Sequence, residues 1–461
     1  LKVALVSLGC PKNRIDSEYV LGALGQAGWT ITDDPGEADV TIVNTCGFIG
    51  PAKEESIRAI LDAAALKRGH PERRLVVLGC LSQRYADELK KEIPEIDALA
   101  GTEAHGSIVG LLEALTGEDR PAERSRPEGG RDSAATAGTD EAPRLLTTGP
   151  HTAYLKIAEG CDHRCAFCVI PSIRGPFRSR RPEAILREAR QLIGMGVKEL
   201  ILVAQDATAY GRDLEPKSDL PSLLGRLDEG PGPAWIRLLY LHPGRVDPAL
   251  VEAVARSRRV CRYFDLPMQH ASDRVLWAMG RGETGAGLRR TIAMIRHHLP
   301  GAYLRGSFIL GFPGETAEDV EELIDFLREV GLDHAGFFAF SPEEGTRAAE
   351  FSDQVDEEVK AARVKRVARV QKAIARAKNE ARVGSTLEVL IDRRSGGAYP
   401  LVGRGEKDAP DIDGMIFLSR AERTVGGSGG PEPRPGDLVR ARITAAAGAY
   451  DLHGAIIGVA E

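Results

Sequence analysis

Gly160-Cys161-Asp162-His163-Arg164-Cys165-Ala166-Phe167-Cys168 decides how the rest of this chain is read. Three cysteines fall within eight residues, spaced C-x3-C-x2-C, just after a strand-like run at 152–158. Thiolates that close can hold three irons of a 4Fe–4S cluster, which ordinarily takes four cysteines, and the fourth iron is left for a ligand that is not protein. Cys165-x-x-Cys168 alone would also suit a redox pair or half a structural zinc site. A redox pair has no use for Cys161. A zinc site needs a fourth ligand, and the next cysteine, Cys261, lies more than ninety residues on. His163 is the other candidate, but inside so tight a loop it is expected to face solvent. The open-corner cluster is therefore preferred.

C-x3-C-x2-C with an aromatic residue, Phe167, before the last cysteine resembles the signature of the radical S-adenosylmethionine (SAM) enzymes. The resemblance implies an open iron that binds the amino and carboxylate groups of SAM. One electron then splits SAM to a 5′-deoxyadenosyl radical that takes hydrogen from an unactivated carbon. The cofactor carries the difficult step, while the protein places it and keeps water out.

At 461 residues the chain exceeds one ordinary core, and two or three domains are expected. A formal net charge of −6 argues against a protein whose main task is clinging to nucleic acid. Seven cysteines, an odd number in so long a chain, do not make a secreted disulfide framework. Residues 1–9 are apolar but too short for a signal peptide, and no run approaches a membrane span. A cytoplasmic enzyme with no membrane partner is expected, its record beginning just inside the natural start because no initiating methionine is present.

Up to about Thr116, short apolar runs at 2–8, 39–44 and 74–78 alternate with helical periods at 16–27 and 52–65, the rhythm of a doubly wound parallel sheet. Cys10, Cys46 and Cys80 each come one to three residues past a strand end, the sheet edge where ligands bind. Free cysteine is a common buried residue. Three at equivalent strand ends, two of them in Gly-Cys pairs, point instead to a second cluster with three protein ligands and one open iron. Residues 117–150 have no apolar period and read as a linker or insertion.

From His151 to about Arg347 the alternation resumes at larger scale, with strands expected at 152–158, 198–204, 235–241, 260–266, 303–310 and 334–340. Helices are expected at 182–194, 247–256, 288–298 and 318–330. Six such units make a partial TIM-like barrel whose active site lies at the C-terminal strand ends. Polar groups there are Gln205-Asp206, His242, Gln269-His270 and Ser341, with His242 expected to be a satisfied loop residue. Residues 353–382 form a charged helix whose Lys360, Arg363, Lys365, Arg366 and Arg369 read as a solvated face. Cys261 reads as a small buried apolar residue. From Gly384, strands at 387–392, 415–418, 438–444 and 455–459 suggest a small antiparallel barrel. That tail carries nine Lys and Arg against eleven Asp and Glu, with Asp408, Asp411 and Asp413 together, so it suits a basic protein better than RNA.

Taken whole, the chain resembles the methylthiotransferases. The resemblance implies an N-terminal methylthiotransferase domain (1–116), a flexible linker or insertion (117–146), a radical SAM core (147–382) and a TRAM domain (384–461). One branch of that family modifies an adenosine beside the tRNA anticodon; the other modifies a loop aspartate of small-subunit ribosomal protein twelve, a strongly basic protein. Leu8-Gly9-Cys10-Pro11-Lys12-Asn13-Arg14, Ala204-Gln205-Asp206-Ala207-Thr208-Ala209-Tyr210-Gly211 and Phe340-Ser341-Pro342-Glu343-Glu344-Gly345-Thr346 resemble the second branch more closely. Ala166 and Gly306 stand where threonine is commoner, which leaves the ligands untouched.

On this resemblance two 4Fe–4S clusters are implied. Cys161, Cys165 and Cys168 hold the radical-generating one, and Cys10, Cys46 and Cys80 an auxiliary one that delivers sulfur. SAM would serve as methyl donor and radical source, with an external electron donor and sulfur donor. Phe167, Gln205, Ile309 and Gly311 are carried over as SAM contacts, the last two from a G-x-I-x-G-like stretch, Gly306–Glu315. The substrate implied is the aspartate β-carbon of that ribosomal protein, with tRNA adenosine as the alternative. Anaerobic reconstitution is expected to load about eight irons and about eight sulfides per chain, and about half of each after Cys10, Cys46 and Cys80 are all changed to Ala.

Overall fold

The computed structural model describes residues 1–117, 144–230, 232–419 and 432–459. The first domain comprises β1 (Lys2–Ser7), α1 (Pro11–Gln26), β2 (Thr30–Ile31), β3 (Val40–Thr45), α2 (Gly50–Ala65), β4 (Arg74–Gly79), α3 (Cys80–Glu92), β5 (Ala98–Leu99) and α4 (Ile108–Thr116). Its strands pair in parallel in the order β2-β1-β3-β4-β5. Both faces are covered, which is why the strands read as unbroken apolar runs. Val3, Val20, Leu24, Val40, Ile42 and Val76 pack on one side, and Val43, Ile60, Leu75, Val77 and Leu81 on the other.

The second domain runs through β6 (Thr152–Lys156), β7 (Ala158–Glu159), α5 (Ile170–Arg174), β8 (Arg178–Ser179), α6 (Pro182–Gly194), β9 (Glu199–Val203), α7 (Leu220–Asp228), β10 (Trp235–Leu238) and α8 (Pro248–Arg256). It continues through β11 (Tyr263–Gln269), α9 (Asp273–Ala278), α10 (Gly285–His298), β12 (Tyr303–Leu310), α11 (Ala317–Val330) and β13 (His334–Ala339). Strands β6, β9 and β10 form one parallel sheet and β11, β12 and β13 another. A parallel bridge between Ile236 and Val260 joins them into the expected six-stranded arc. Helix starts follow from local chemistry: the Asp247 and Thr284 side chains accept from Leu250 N–H and Gly287 N–H, and Thr316 with Asp319 closes a capping box. Helix α7 is absent from the sequence expectation because Pro221 and Gly225 weaken its helical signal; Asp219 caps it.

Helix α1 differs from its expectation in an informative way. In place of an amphipathic helix at 16–27, the helix begins at Pro11, with Cys10 as its extended N-cap, and is buried from Lys12 to Gly22 except at Arg14. It has no wet face because it lies between the parallel sheet, which takes Val20 and Leu24, and the barrel, which takes Ile15 and Tyr19. Ile15 and Tyr19 share one cluster with Tyr154, Ile201, Trp235 and Tyr263 of the barrel and Leu390 and Ala409 of the tail. Cys261 is buried in the same cluster, as expected of a small apolar residue. Most of the 117–146 linker lies outside the described residues. Its end is firmly held: Arg144 pairs with Glu18 and Glu188, and Thr147 N–H donates to Glu18 at 2.8 Å.

After α12 (Glu357–Glu380), strands β14 (Thr386–Arg394), β15 (Leu401–Gly405), β16 (Ile416–Ser419), β17 (Leu438–Ala447) and β18 (Asp451–Val459) close a barrel in the order β14-β15-β16-β18-β17. β15 escapes the sequence reading because its two glycines and Arg404 hide a buried strand. Its presence makes the ring odd-numbered. The small antiparallel barrel expected is present, with four of its five pairings antiparallel; a closed ring of five strands cannot alternate direction all the way round, and β16 accordingly pairs with β18 in parallel.

Two charge readings are corrected as well. Lys360 does not belong to a solvated face: it is 2% exposed and pairs with Glu357 at 2.6 Å. Arg363 pairs with buried Glu315 at 2.8 Å, while Lys365, Arg366 and Arg369 are exposed. Nor do Asp408, Asp411 and Asp413 form an acidic docking surface. Asp408 is fully buried against Lys407 (2.7 Å) and His334 (3.2 Å). Asp413 accepts from Tyr263 Oη at 2.6 Å and faces Arg305 at 3.3 Å. These acids are the counter-charges of cations in the barrel strands, and they lock the tail to it; Asp411 alone of the three is exposed, 3.5 Å from Arg14.

Burial works to raise the Asp408 pKa, but Lys407 and His334 together hold it down, at about 2. Because the folded value lies below the ordinary 3.8, Asp408 contributes stability that is complete above the ordinary value and is lost as pH falls towards 2. The contribution is on the order of 2 kcal/mol. Between about pH 5 and about pH 2 the wild type is expected to lose more stability than Asp408→Asn by roughly that amount, measured from urea midpoints.

Candidate active site

Cys10 follows the end of β1, Cys46 follows β3 and Cys80 follows β4, three neighbouring parallel strands. The turns that carry them interlock. A side chain at Gly9 would come within 2.8 Å of Cys46 Cβ, and one at Gly47 within 2.8 Å of the Cys80 carbonyl. Asn13, one turn into α1, donates to the carbonyls of Leu8 (3.1 Å) and Thr45 (2.8 Å), and its Oδ1 lies 3.4 Å from Cys80 Sγ. Burial pushes the Cys46 thiol up to about 11 and also raises Cys80. A metal held by these two cysteines would have to displace their protons.

The second set lies on the loop after β6 and β7. Ala166 N–H donates to the Met279 carbonyl at 2.7 Å, Ala348 N–H to the Ala166 carbonyl at 2.9 Å, and Cys161 N–H to the Gly175 carbonyl at 3.1 Å. So pinned, Cys161, Cys165 and Cys168 line one cavity of about 540 Å³ with Asp162, His163 and Arg347. Burial raises Cys161 and pushes Cys168 up to about 12, and Arg281 reaches to 3.8 Å from Cys165 Sγ. His163 does not face solvent as expected: its Nε2 lies 2.8 Å from Asp206 Oδ2 and its ring stacks on His242 with centroids 4.3 Å apart. His242 pairs with Glu283 at 2.9 Å, the satisfied loop residue anticipated.

Among the described residues, no three His, Cys, Asp or Glu side chains gather closely enough for a single metal ion. Cys161, Cys165 and Cys168, three thiols lining one cavity, are a donor set that fits three irons of a four-iron cluster.

The two cysteine-bearing loops meet at Cys80. Cys80 packs against Val169 and Ile173, the first of them next to Cys168. Arg174, 5% exposed, joins the sets: it donates to Asp16 at 2.7 Å, to Asn13 Oδ1, to Glu159 at 3.4 Å and towards Cys80 Sγ at 3.4 Å. Lys156 completes the group, 2.5 Å from both Asp16 and Glu159. On another side Glu343 accepts from Lys53 (2.7 Å) and Arg84 (3.3 Å), and Ser341 Oγ accepts from Gly50 N–H. These contacts hold the loop after β13 against α2 and α3.

The expected SAM contacts divide. Phe167 and Ile309 meet in a nest with Ala166, Phe312 and Phe340. Gln205 donates to Glu159 at 2.7 Å, and its own oxygen is buried without a partner among the described residues. Gly311 has φ +72°, its N–H is taken by Glu315, and the space a side chain would fill is occupied by Lys360. What this glycine makes room for is a lysine. Asn13, Asp16, Lys156, Glu159 and Arg174 lie outside the sequence expectation, although Lys156 carries a signal: a charged residue ending an otherwise buried strand. Lys12, also unassigned by the sequence, is 8% exposed with Nζ 3.3 Å from the centre of the Tyr240 ring. Burial lowers its pKa, opposed by Cys10, Glu159 and Asp265.

A cysteine loop after the first strand of a six-stranded arc, fronted by a parallel sheet with its own cysteines, defines a radical SAM enzyme. Residues 2–101 match the uncharacterized protein family UPF0004, 155–327 the radical SAM superfamily and 383–457 the TRAM domain. The ribosomal protein uS12 methylthiotransferase RimO of Desulforudis audaxviator (strain MP104C) is 49% identical over 456 residues, covering 99% of this chain and 97% of the relative. That of Pelotomaculum thermopropionicum is 48% identical, covering 98% and 99%. The chain belongs to the family of the ribosomal protein uS12 methylthiotransferases. It is accordingly a SAM-dependent enzyme with a radical SAM 4Fe–4S cluster. The fold is shared with the radical SAM methyltransferase TsrM from Kitasatospora setae, with a TM-score of 0.53 at 16% identity over 86% of this chain and 79% of that one. No helix among the described residues is long and apolar enough to cross a membrane.

Replacing Arg174 by Met leaves Asp16 and Glu159 with Lys156 as their remaining cation. The variant is expected to be roughly 3–5 kcal/mol less stable in chemical denaturation, with Arg174→Lys losing less.

Proposed function

We propose that this protein places a methylthio group on the β-carbon of a loop aspartate of ribosomal protein uS12. The observation that carries the reading is the packing of Cys80 on the residues that follow Cys168, with Arg174 bonded between the two loops. When bound at Cys161, Cys165 and Cys168, the cluster supplies the electron that cleaves SAM, and a second at Cys10, Cys46 and Cys80 supplies sulfur. The β-carbon hydrogen of an aspartate is too weakly acidic for a protein base to remove, so general base catalysis cannot open that bond.

The chain's own residues hold and enclose. Asn13 fixes the turns that carry the first cysteine set, the Ala166 backbone fixes the loop of the second, and Phe167 with Ile309 offers an apolar wall for SAM. In this reading residues 1–116 deliver sulfur, 147–382 generate the radical and 384–461 engage the substrate, with electron and sulfur donors supplied from outside. The substrate for which the relatives are named favours uS12 over the tRNA alternative.

Incubation of the reconstituted enzyme with uS12, SAM and a reductant is expected to add a methylthio group to one aspartate, located by mass spectrometry, and to leave tRNA unmodified. Cys10→Ala is expected to keep most SAM cleavage and lose the adduct. An adduct on tRNA adenosine, or equal loss of both activities in folded Cys10→Ala protein, would contradict the proposal.

A further inference from the structure

Lys12 is a buried cation without a counter-ion among the described residues. Around the same space each neighbouring cation has its carboxylate. Arg174 and Lys156 share Asp16 and Glu159, Arg305 takes Asp265 and Asp413, Arg281 takes Glu283, and Arg245 takes Asp206. Lys12 has only the Tyr240 ring face, and no carboxylate oxygen of the described residues lies within 4 Å of its Nζ. The residue is more than nine-tenths buried. Burying an ammonium without an anion costs several kcal/mol, and a chain that needed only a spacer here could use an apolar side chain.

Position gives the charge a meaning. Lys12 follows Cys10 by two residues in the first turn of α1, so it stands at the edge of the first cysteine set. Tyr240, beneath it, follows β10 at the C-terminal end of the arc and donates its N–H to Asp265 at 2.9 Å. The ammonium therefore sits between the cysteine-bearing turn and the mouth of the barrel. The adjacent helix terminus favours negative charge as well.

We infer that Lys12 binds the carboxylate of the substrate's target side chain and so selects an acidic residue over its neutral isostere. The inference rests on the function proposed above. It adds a reason for the choice of residue: the atom to be modified is bonded directly to the carboxyl carbon, so a cation that grips the carboxylate also fixes the reacting carbon beside the cysteine set. A charge-assisted hydrogen bond to an ammonium supplies both the pull and the direction. An amide in its place would leave the lysine unpaired.

The test is a cycle of two changes on the reconstituted enzyme: Lys12→Met in the protein, and Asp→Asn at the modified position of uS12. Two quantities are read, the affinity for labelled uS12 without reductant, and kcat/KM for the methylthio adduct. Wild-type enzyme is expected to prefer the aspartate form by on the order of 10²-fold or more in kcat/KM, and measurably in affinity. Lys12→Met should lose a similar factor on the aspartate form and show little preference between the two substrates; Lys12→Arg should recover most of the preference. Iron content and thermal midpoint identify a variant that has failed to fold, and the Lys12→Arg comparison then carries the test. The inference is overturned if Lys12→Met keeps the wild-type preference, or if Lys12→Arg shows none while retaining its iron. If wild-type enzyme leaves uS12 unmodified, the proposed function fails first, an outcome distinct from either.

Discussion

The buried group of Asp16, Glu159, Lys156 and Arg174 is the constraint on which the site depends. Two carboxylates and two cations, drawn from α1, β6, β7 and α5, are removed from water together. Any one left alone would carry a desolvation penalty of several kcal/mol, so the four are held in one arrangement. Asp16 lies on the helix that begins just after Cys10, and Arg174 ends the short helix that follows Cys168. Satisfying the charges therefore sets the distance between the cysteine-bearing loops. Apolar packing brings the domains together; the charges fix their register.

A second locking device joins the tail to the barrel. Arg305 and His334 stand in barrel strands, and their anions come from loop 405–414 of the tail. The tail is thus built into the barrel wall as well as tethered by α12. This is why an acid cluster that looked like a surface in the sequence is an interior feature. Its partners lie far upstream, Arg305 by 108 residues from Asp413, beyond the reach of any local pattern.

Much of the fold was legible because it obeys local rules. Apolar runs bounded by turn residues marked the parallel strands, and cysteines just past three of them marked the sheet edge. The spacing around Cys161 marked the second loop without help from structure. What escaped was everything decided by distant partners. Helix α1 lacks an amphipathic period because two domains cover it. Strand β15 was diluted by glycine, and His163 took a carboxylate and a ring supplied by later loops. The buried ion group was invisible for the same reason, since charge in a sequence reads as surface until its counter-charge is located.

The burial of α1 has a consequence for how the molecule is made. Synthesis runs from the N-terminus, so this helix and its sheet are complete long before Arg174, and longer still before Asp411, have left the ribosome. During that interval Ile15 and Tyr19 lack their apolar cover and Asp16 lacks its cations, and Cys80 is not yet roofed by Val169 and Ile173. The first cysteine set is therefore least covered in the nascent chain. Cys80 becomes enclosed only when Val169 and Ile173 pack over it, while Cys10 stays half-buried.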